Sequence, residues 1–118
     1  MTKILVVEDN PLNMELVVEI LIAHGFIVHT AIDGEEALTK IEKNVYDLIL
    51  MDIELPGMTG VETTKIIKAK DKNMCVIALT SYAMKGDRER FLTAGFDDYI
   101  SKPLDISEFL KKLEKHLK

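Results

Sequence analysis

The segment Ile4-Leu5-Val6-Val7-Glu8-Asp9-Asn10-Pro11 joins an unbroken apolar run to two acids and a helix-starting pair. A short apolar run without polar alternation suits a strand covered on both faces, as the strands of parallel sheets are. Asn10 offers a side-chain oxygen to the free amides of a first helical turn, and Pro11 fits the first helical position, where no amide partner is needed. The segment therefore reads as a strand that delivers Glu8 and Asp9 to its carboxyl end and passes at once into a helix, which Gly25 closes.

The same unit recurs. Phe26 to Ala31 reads as the second strand, and Asp33 with Glu36 makes a capping-box-like start for a helix to about Lys43. Leu48 to Met51 is the third run, ending at Asp52; Leu55-Pro56-Gly57 turns the chain, and Thr59 with Glu62 opens a helix to about Ala69. Cys75 to Leu79 is the fourth run, ending at Thr80, and a polar helix from about Met84 reaches a terminating Gly95. Asp98 to Ser101 is a short last strand before Lys102-Pro103. Asp105 with Glu108 starts a final helix on which Phe109, Leu110, Leu113 and Leu117 fall at helical spacing. Strands separated by helices imply right-handed crossovers, hence an α/β fold with a five-stranded parallel sheet and helices on both faces.

The 118 residues suit one domain spanning 1–118, and 47% hydrophobic with 30% charged residues is a globular composition. With 20 acidic against 15 basic residues the net charge is −5, which opposes nucleic acid and anionic membrane. The basic end Lys111, Lys112, Lys115 and Lys118 is the local exception and is read as complementing the negative end of the last helix. Cys75 is the only cysteine, so no internal disulfide forms. No apolar run approaches the ~20 residues of a membrane span, and the start lacks the features of a signal peptide, so a cytoplasmic location is expected.

In open α/β sheets ligands bind beyond the carboxyl ends of the strands. Four of the five expected strands end there in a charged or reactive group: Glu8 and Asp9, then Asp52, Thr80 and Lys102. Each has an ordinary explanation when taken singly. An acid after a strand often caps a helix, threonine fills strand ends, and lysine is usually a solvated charge. On one sheet edge they make a chemical set. Three close carboxylates either hold protons or bind a hard divalent cation. Mg²⁺, with Mn²⁺ as the alternative, is expected because it accepts one or two carboxylates, keeps several waters and shares phosphate oxygens. Zinc is disfavoured, since His24, His29 and His116 lack paired ligand spacing and Cys75 lies inside an apolar run. A cation, a lysine and a threonine hydroxyl around one carboxylate are the parts that stabilise a transferring phosphoryl group, with the carboxylate as nucleophile.

Glu8-Asp9-Asn10, Met51-Asp52 with Leu55-Pro56-Gly57-Met58-Thr59-Gly60, Leu79-Thr80-Ser81 and Tyr99-Ile100-Ser101-Lys102-Pro103 resemble, in order and spacing, the receiver domain of two-component response regulators. The resemblance implies the flavodoxin-like receiver fold with strand order 2-1-3-4-5. It implies Asp52 as phosphoacceptor and Glu8 and Asp9 as metal-side acids, with Asp9 the more direct ligand and the backbone carbonyl of Glu54 a further one. Thr80 and Lys102 would each bind a phosphoryl oxygen, Tyr99 would be the switch aromatic, and the bond before Pro103 would be cis. The implied phosphoryl donor is a histidine kinase or a histidine phosphotransfer protein, and the implied output is a downstream protein target in a two-component or phosphorelay system. The chain would then be a regulatory phosphoacceptor rather than an enzyme of steady turnover. Glu54 and Tyr82 fall where an acidic and a bulky side chain could slow the approach of water to the phosphoryl group.

Two other classes share parts of this pattern. A flavodoxin-like nucleotide binder would want hydroxyl or glycine residues after the first strand, where Glu8-Asp9 would repel phosphate. A phosphatase of the haloacid dehalogenase type needs a second aspartate two residues after its nucleophile, where this chain has Glu54.

The first helix is more apolar than one buried face requires. Leu16, Val17, Ile20 and Leu21 are expected to face the core, whereas Met14, Val18 and Ile22 form a second stripe, exposed or partly covered, of the kind that marks a partner surface. The fourth helix, opening Lys85-Gly86-Asp87-Arg88-Glu89-Arg90, carries few apolar anchors and is expected to be held loosely.

Overall fold

Among the described residues, 1–81 and 87–117 of a computed structural model, strands and helices alternate from end to end. Strands β1 (Lys3–Val7), β2 (Ile27–Ala31), β3 (Leu48–Asp52), β4 (Val76–Thr80) and β5 (Asp98–Ser101) lie parallel in the order β2-β1-β3-β4-β5. Helices α1 (Pro11–Ala23), α2 (Gly34–Lys43), α3 (Gly60–Lys70), α4 (Asp87–Thr93) and α5 (Ile106–Leu117) complete the alternation. The reversal of strand order falls between β1 and β3, which opens a crevice at their carboxyl ends.

Local chemistry accounts for the helix starts. The Asn10 side chain accepts from the amides of Leu12 and Asn13, and Pro11 follows at the first position. Thr59 and Glu62 form a full capping box. Asp33 and Asp105 each accept from the amide three residues on, from Glu36 and Glu108. Phe26 does not join β2, because its amide still bonds to the Leu21 carbonyl in closing α1, where Gly25 takes a φ of 85°.

Successive residues of a strand point to opposite faces, and the core divides accordingly. Ile4, Val6, Leu48, Leu50, Ile77, Leu79 and Ile100 pack with Val17, Ile20 and Leu21 of α1 and Phe109 and Leu113 of α5. Leu5, Val7, Ile49, Met51, Val76 and Ala78 pack on the other face with Ala37 of α2, Ile67 of α3 and Phe91 of α4. β1, β3 and β4 are therefore covered on both sides, which is why they read as unbroken apolar runs.

Leu16 departs from the expectation of a core position: it is 43% exposed. It lies about 100° round the helix from Val17, on the flank rather than the sheet-facing line of Val17, Ile20 and Leu21. Lys112 departs from the reading of the basic end as a helix-dipole complement. Its ammonium reaches round the open edge of β5 to the Tyr99 carbonyl and lies 3.6 Å from Asp98. The fourth helix runs from Asp87, and its expected start near Met84 and the Lys85-Gly86 opening lie outside the described residues.

Candidate functional site

Asp52 is the last residue of β3 and is almost wholly buried. Its Oδ2 accepts from Lys102 Nζ at 3.1 Å and its Oδ1 from the Glu54 amide at 3.0 Å. Glu8, one residue past β1 and equally buried, accepts from the same Lys102 ammonium at 2.8 Å. Asp9 follows on the exposed side, and ligand oxygens of Glu8, Asp9 and Asp52 all lie within 4.8 Å of one another. The structure thus brings together four of the residues singled out from sequence. The cis peptide between Lys102 and Pro103 stands where the chain leaves β5 toward α5.

Burial raises the Glu8 carboxyl to about 7, helped by its hydrogen bond to Asp52 and opposed by Lys102. Burial would lower the Lys102 ammonium, but its bonds to Glu8 and Asp52 more than offset this and hold it above its ordinary value. One buried cation is thus shared by two crowded acids, and with Asp9 the arrangement has more acidic than basic groups. Such a set suits a hard divalent cation: the donors are all carboxylate oxygens, and Asp9 is open to water.

Thr80, at the end of β4, is buried, and its hydroxyl donates to Glu54 Oε1 at 3.4 Å; the Ser81 amide donates to the same oxygen at 3.4 Å. Thr80 pairs with Ser101 across the β4–β5 ladder, so Tyr99, two residues back, shares its face. The Tyr99 ring is half-buried, 5.5 Å from that of Phe91 and 4.4 Å from Lys112 Nζ. On α1, Met14 and Val18 are half-buried and Ile22 is exposed; Leu12 and Leu16 add to the exposed apolar surface of that helix. Tyr82 lies outside the described residues.

Three contacts were missed in the sequence, although Glu54 itself was singled out there. A β-carbon on Gly60 would stand 2.2 Å from the Asp52 carbonyl oxygen, so the start of α3 packs directly on the backbone of Asp52. The Glu54 side chain, though exposed, reaches across the end of β4 to Thr80 and Ser81. Asp98, 5% exposed, pairs with His116 at 3.0 Å and with Lys112. The last had a usable signal, because Asp98 and Ile100 share strand parity and so the same covered face.

The fold agrees with comparisons against known proteins. The response regulator receiver domain profile matches residues 4–114. The chain belongs to the response regulator receiver domain family, whose general function is to accept a phosphoryl group on an aspartate. Among its relatives is the polar-differentiation response regulator DivK of Brucella anthropi, 41% identical over 97% of this chain and 94% of that protein. DivK of Brucella ovis is 42% identical over 99% and 98% of the two chains. Among solved structures, the receiver domain of a sensor histidine kinase from Pseudomonas aeruginosa, with magnesium in its active-site cleft, superposes with a TM-score of 0.90 at 38% identity, covering 98% of this chain and 97% of that one. The Thermotoga maritima response regulator TrrA in complex with Mg²⁺ and BeF gives the same TM-score and identity over 99% and 100%. No helix among the described residues is long and apolar enough to cross a membrane.

Proposed function

We propose that Asp52 is the phosphoacceptor of this receiver and that Glu8 and Asp9 are its metal-side acids. The observation that carries the reading is the convergence of Glu8, Asp9 and Asp52 at one strand edge, with Lys102 bonded to two of them. Mg²⁺, or Mn²⁺ in its place, would be held by these three carboxylates with the Glu54 carbonyl, and would supply neutralisation of the charge that builds up as phosphate meets carboxylate. An Asp52 oxygen bonds to phosphorus of a phosphohistidine, the P–N bond breaks, and the imidazole nitrogen leaves with the electron pair. Lys102 and the Thr80 hydroxyl receive phosphoryl oxygens, and Tyr99 on the Thr80 face transmits the change.

The donor is a histidine kinase or histidine phosphotransfer protein docking on the side of α1 that carries Met14, Val18 and Ile22. The output is contact with a downstream protein rather than nucleic acid, consistent with the net charge of −5. The protein acts as a regulatory phosphoacceptor in the cytoplasm, catalysing only its own phosphorylation and dephosphorylation, and residues 1–118 form one receiver unit.

Intact-mass measurement after incubation with acetyl phosphate tests the reading. One Mg²⁺-dependent phosphoryl adduct, absent from Asp52→Asn, is expected. An adduct that persists in the variant, or none where a control receiver labels, overturns it.

A further inference from the structure

Glu54 stands two residues beyond Asp52, and its side chain turns back over the sheet edge. Its amide donates to Asp52 Oδ1, while a single carboxylate oxygen, Oε1, takes both the Thr80 hydroxyl and the Ser81 amide. A hydroxyl and a backbone N–H converging on one negative oxygen is what a bound phosphoryl oxygen would require of the same two groups. An anion belonging to the chain therefore sits on donors at the end of β4, the strand paired beside Asp52. Both contacts are 3.4 Å, at the long end of hydrogen bonding, and they share one oxygen, so they break together. Glu54 is exposed, and swinging it into water costs no desolvation.

We propose that Glu54 is a resident-anion gate on the acceptor site. Its carboxylate occupies the Thr80 and Ser81 donors when Asp52 is free, must leave for an incoming phosphoryl group, and repels that group while it remains. This rests on Asp52 being the phosphoacceptor. In the labelling step with acetyl phosphate, an Asp52 oxygen bonds to phosphorus, the P–O bond to the acetyl group breaks, and acetate leaves with the electron pair. The gate acts before that bond forms, so it sets the rate of labelling and the affinity for phosphoryl analogues.

The test compares wild type, Glu54→Ala and Glu54→Gln. Without donor or metal, the Ser81 amide resonance should shift in Glu54→Ala, which reports the contact independently of activity. With Mg²⁺ and acetyl phosphate, Glu54→Ala should label roughly three- to tenfold faster, the factor set by exchanging one or two weak hydrogen bonds. Mg²⁺ with beryllofluoride should bind Glu54→Ala more tightly by a similar factor. Glu54→Gln should fall between, since its carbonyl still accepts but carries no charge. An unmoved Ser81 resonance, or equal or slower labelling in Glu54→Ala, overturns the gate and leaves Asp52 as acceptor. Failure of wild type to label overturns the acceptor assignment and the gate with it.

Discussion

Gly60 packs against the backbone of Asp52 so closely that an added β-carbon would meet the Asp52 carbonyl oxygen at 2.2 Å and Ile53 Cα at 2.8 Å. Gly60 is the first residue of α3, so this contact sets how near that helix approaches the end of β3. In an ordinary helix, alanine for glycine is favourable by about 1 kcal/mol. Here both obstacles are backbone atoms, which cannot rotate away. Gly60→Ala should therefore lose about 1–3 kcal/mol in urea unfolding and weaken Mg²⁺ binding by displacing Asp52. Unchanged stability and metal affinity would show that α3 shifts freely.

Metal binding should depend on pH through Glu8. In the metal-free protein its carboxyl titrates at about 7 against an ordinary 4.5. Between these values the folded chain holds a proton that the unfolded chain has released, so the Glu8 contribution to stability falls as pH rises across the window. Mg²⁺ needs the ionised form, so its affinity should fall as pH drops below about 7, and binding should release protons. Calorimetry in buffers of different ionisation enthalpy measures that release, and Glu8→Gln should diminish it.

Asp98 anchors α5 to the edge strand. Burial would raise its carboxyl, but the bonds from His116 and the Tyr99 amide, with Lys112 nearby, hold it below the ordinary 3.8. A lowered carboxyl stabilises the fold above its unfolded value, and that contribution is lost as pH falls through the folded one. Asp98→Asn should cost about 1–3 kcal/mol near neutral pH and much less in acid. Urea titrations at the two pH values check this, and an equal loss at both would remove the ion pair from the explanation.

Thr64 on α3 is fully buried, and its hydroxyl is the one buried side-chain polar atom without a hydrogen-bond partner among the described residues. Thr64→Val keeps the branched shape and removes the unpaired group. It should raise stability by about 1 kcal/mol and the melting temperature by a few degrees. A lower melting temperature would mean that the hydroxyl finds a partner in solution.

The order of elements was legible because its signals are local. Apolar runs such as Leu48 to Met51 mark strands covered on both faces, and Asn10-Pro11 and Thr59 with Glu62 mark helix starts through bonds spanning two or three residues. Leu16 was misread because periodicity tells which residues share a helix face but not how wide a neighbouring sheet covers it. Lys112 was misread because, besides Glu108 on its own helix, it reaches Asp98 and the Tyr99 carbonyl on a different element.

The sequence alone determined the α/β alternation and the placement of Glu8, Asp9, Asp52, Thr80 and Lys102 at strand ends, since both follow from side-chain patterns within one element. Only the tertiary structure decided that Lys102 bonds Glu8 across 94 residues, that Glu54 turns onto Thr80 and Ser81, and that Gly60 abuts Asp52. Such contacts depend on strand order, register and helix approach, which arise when separate elements bury their apolar faces together.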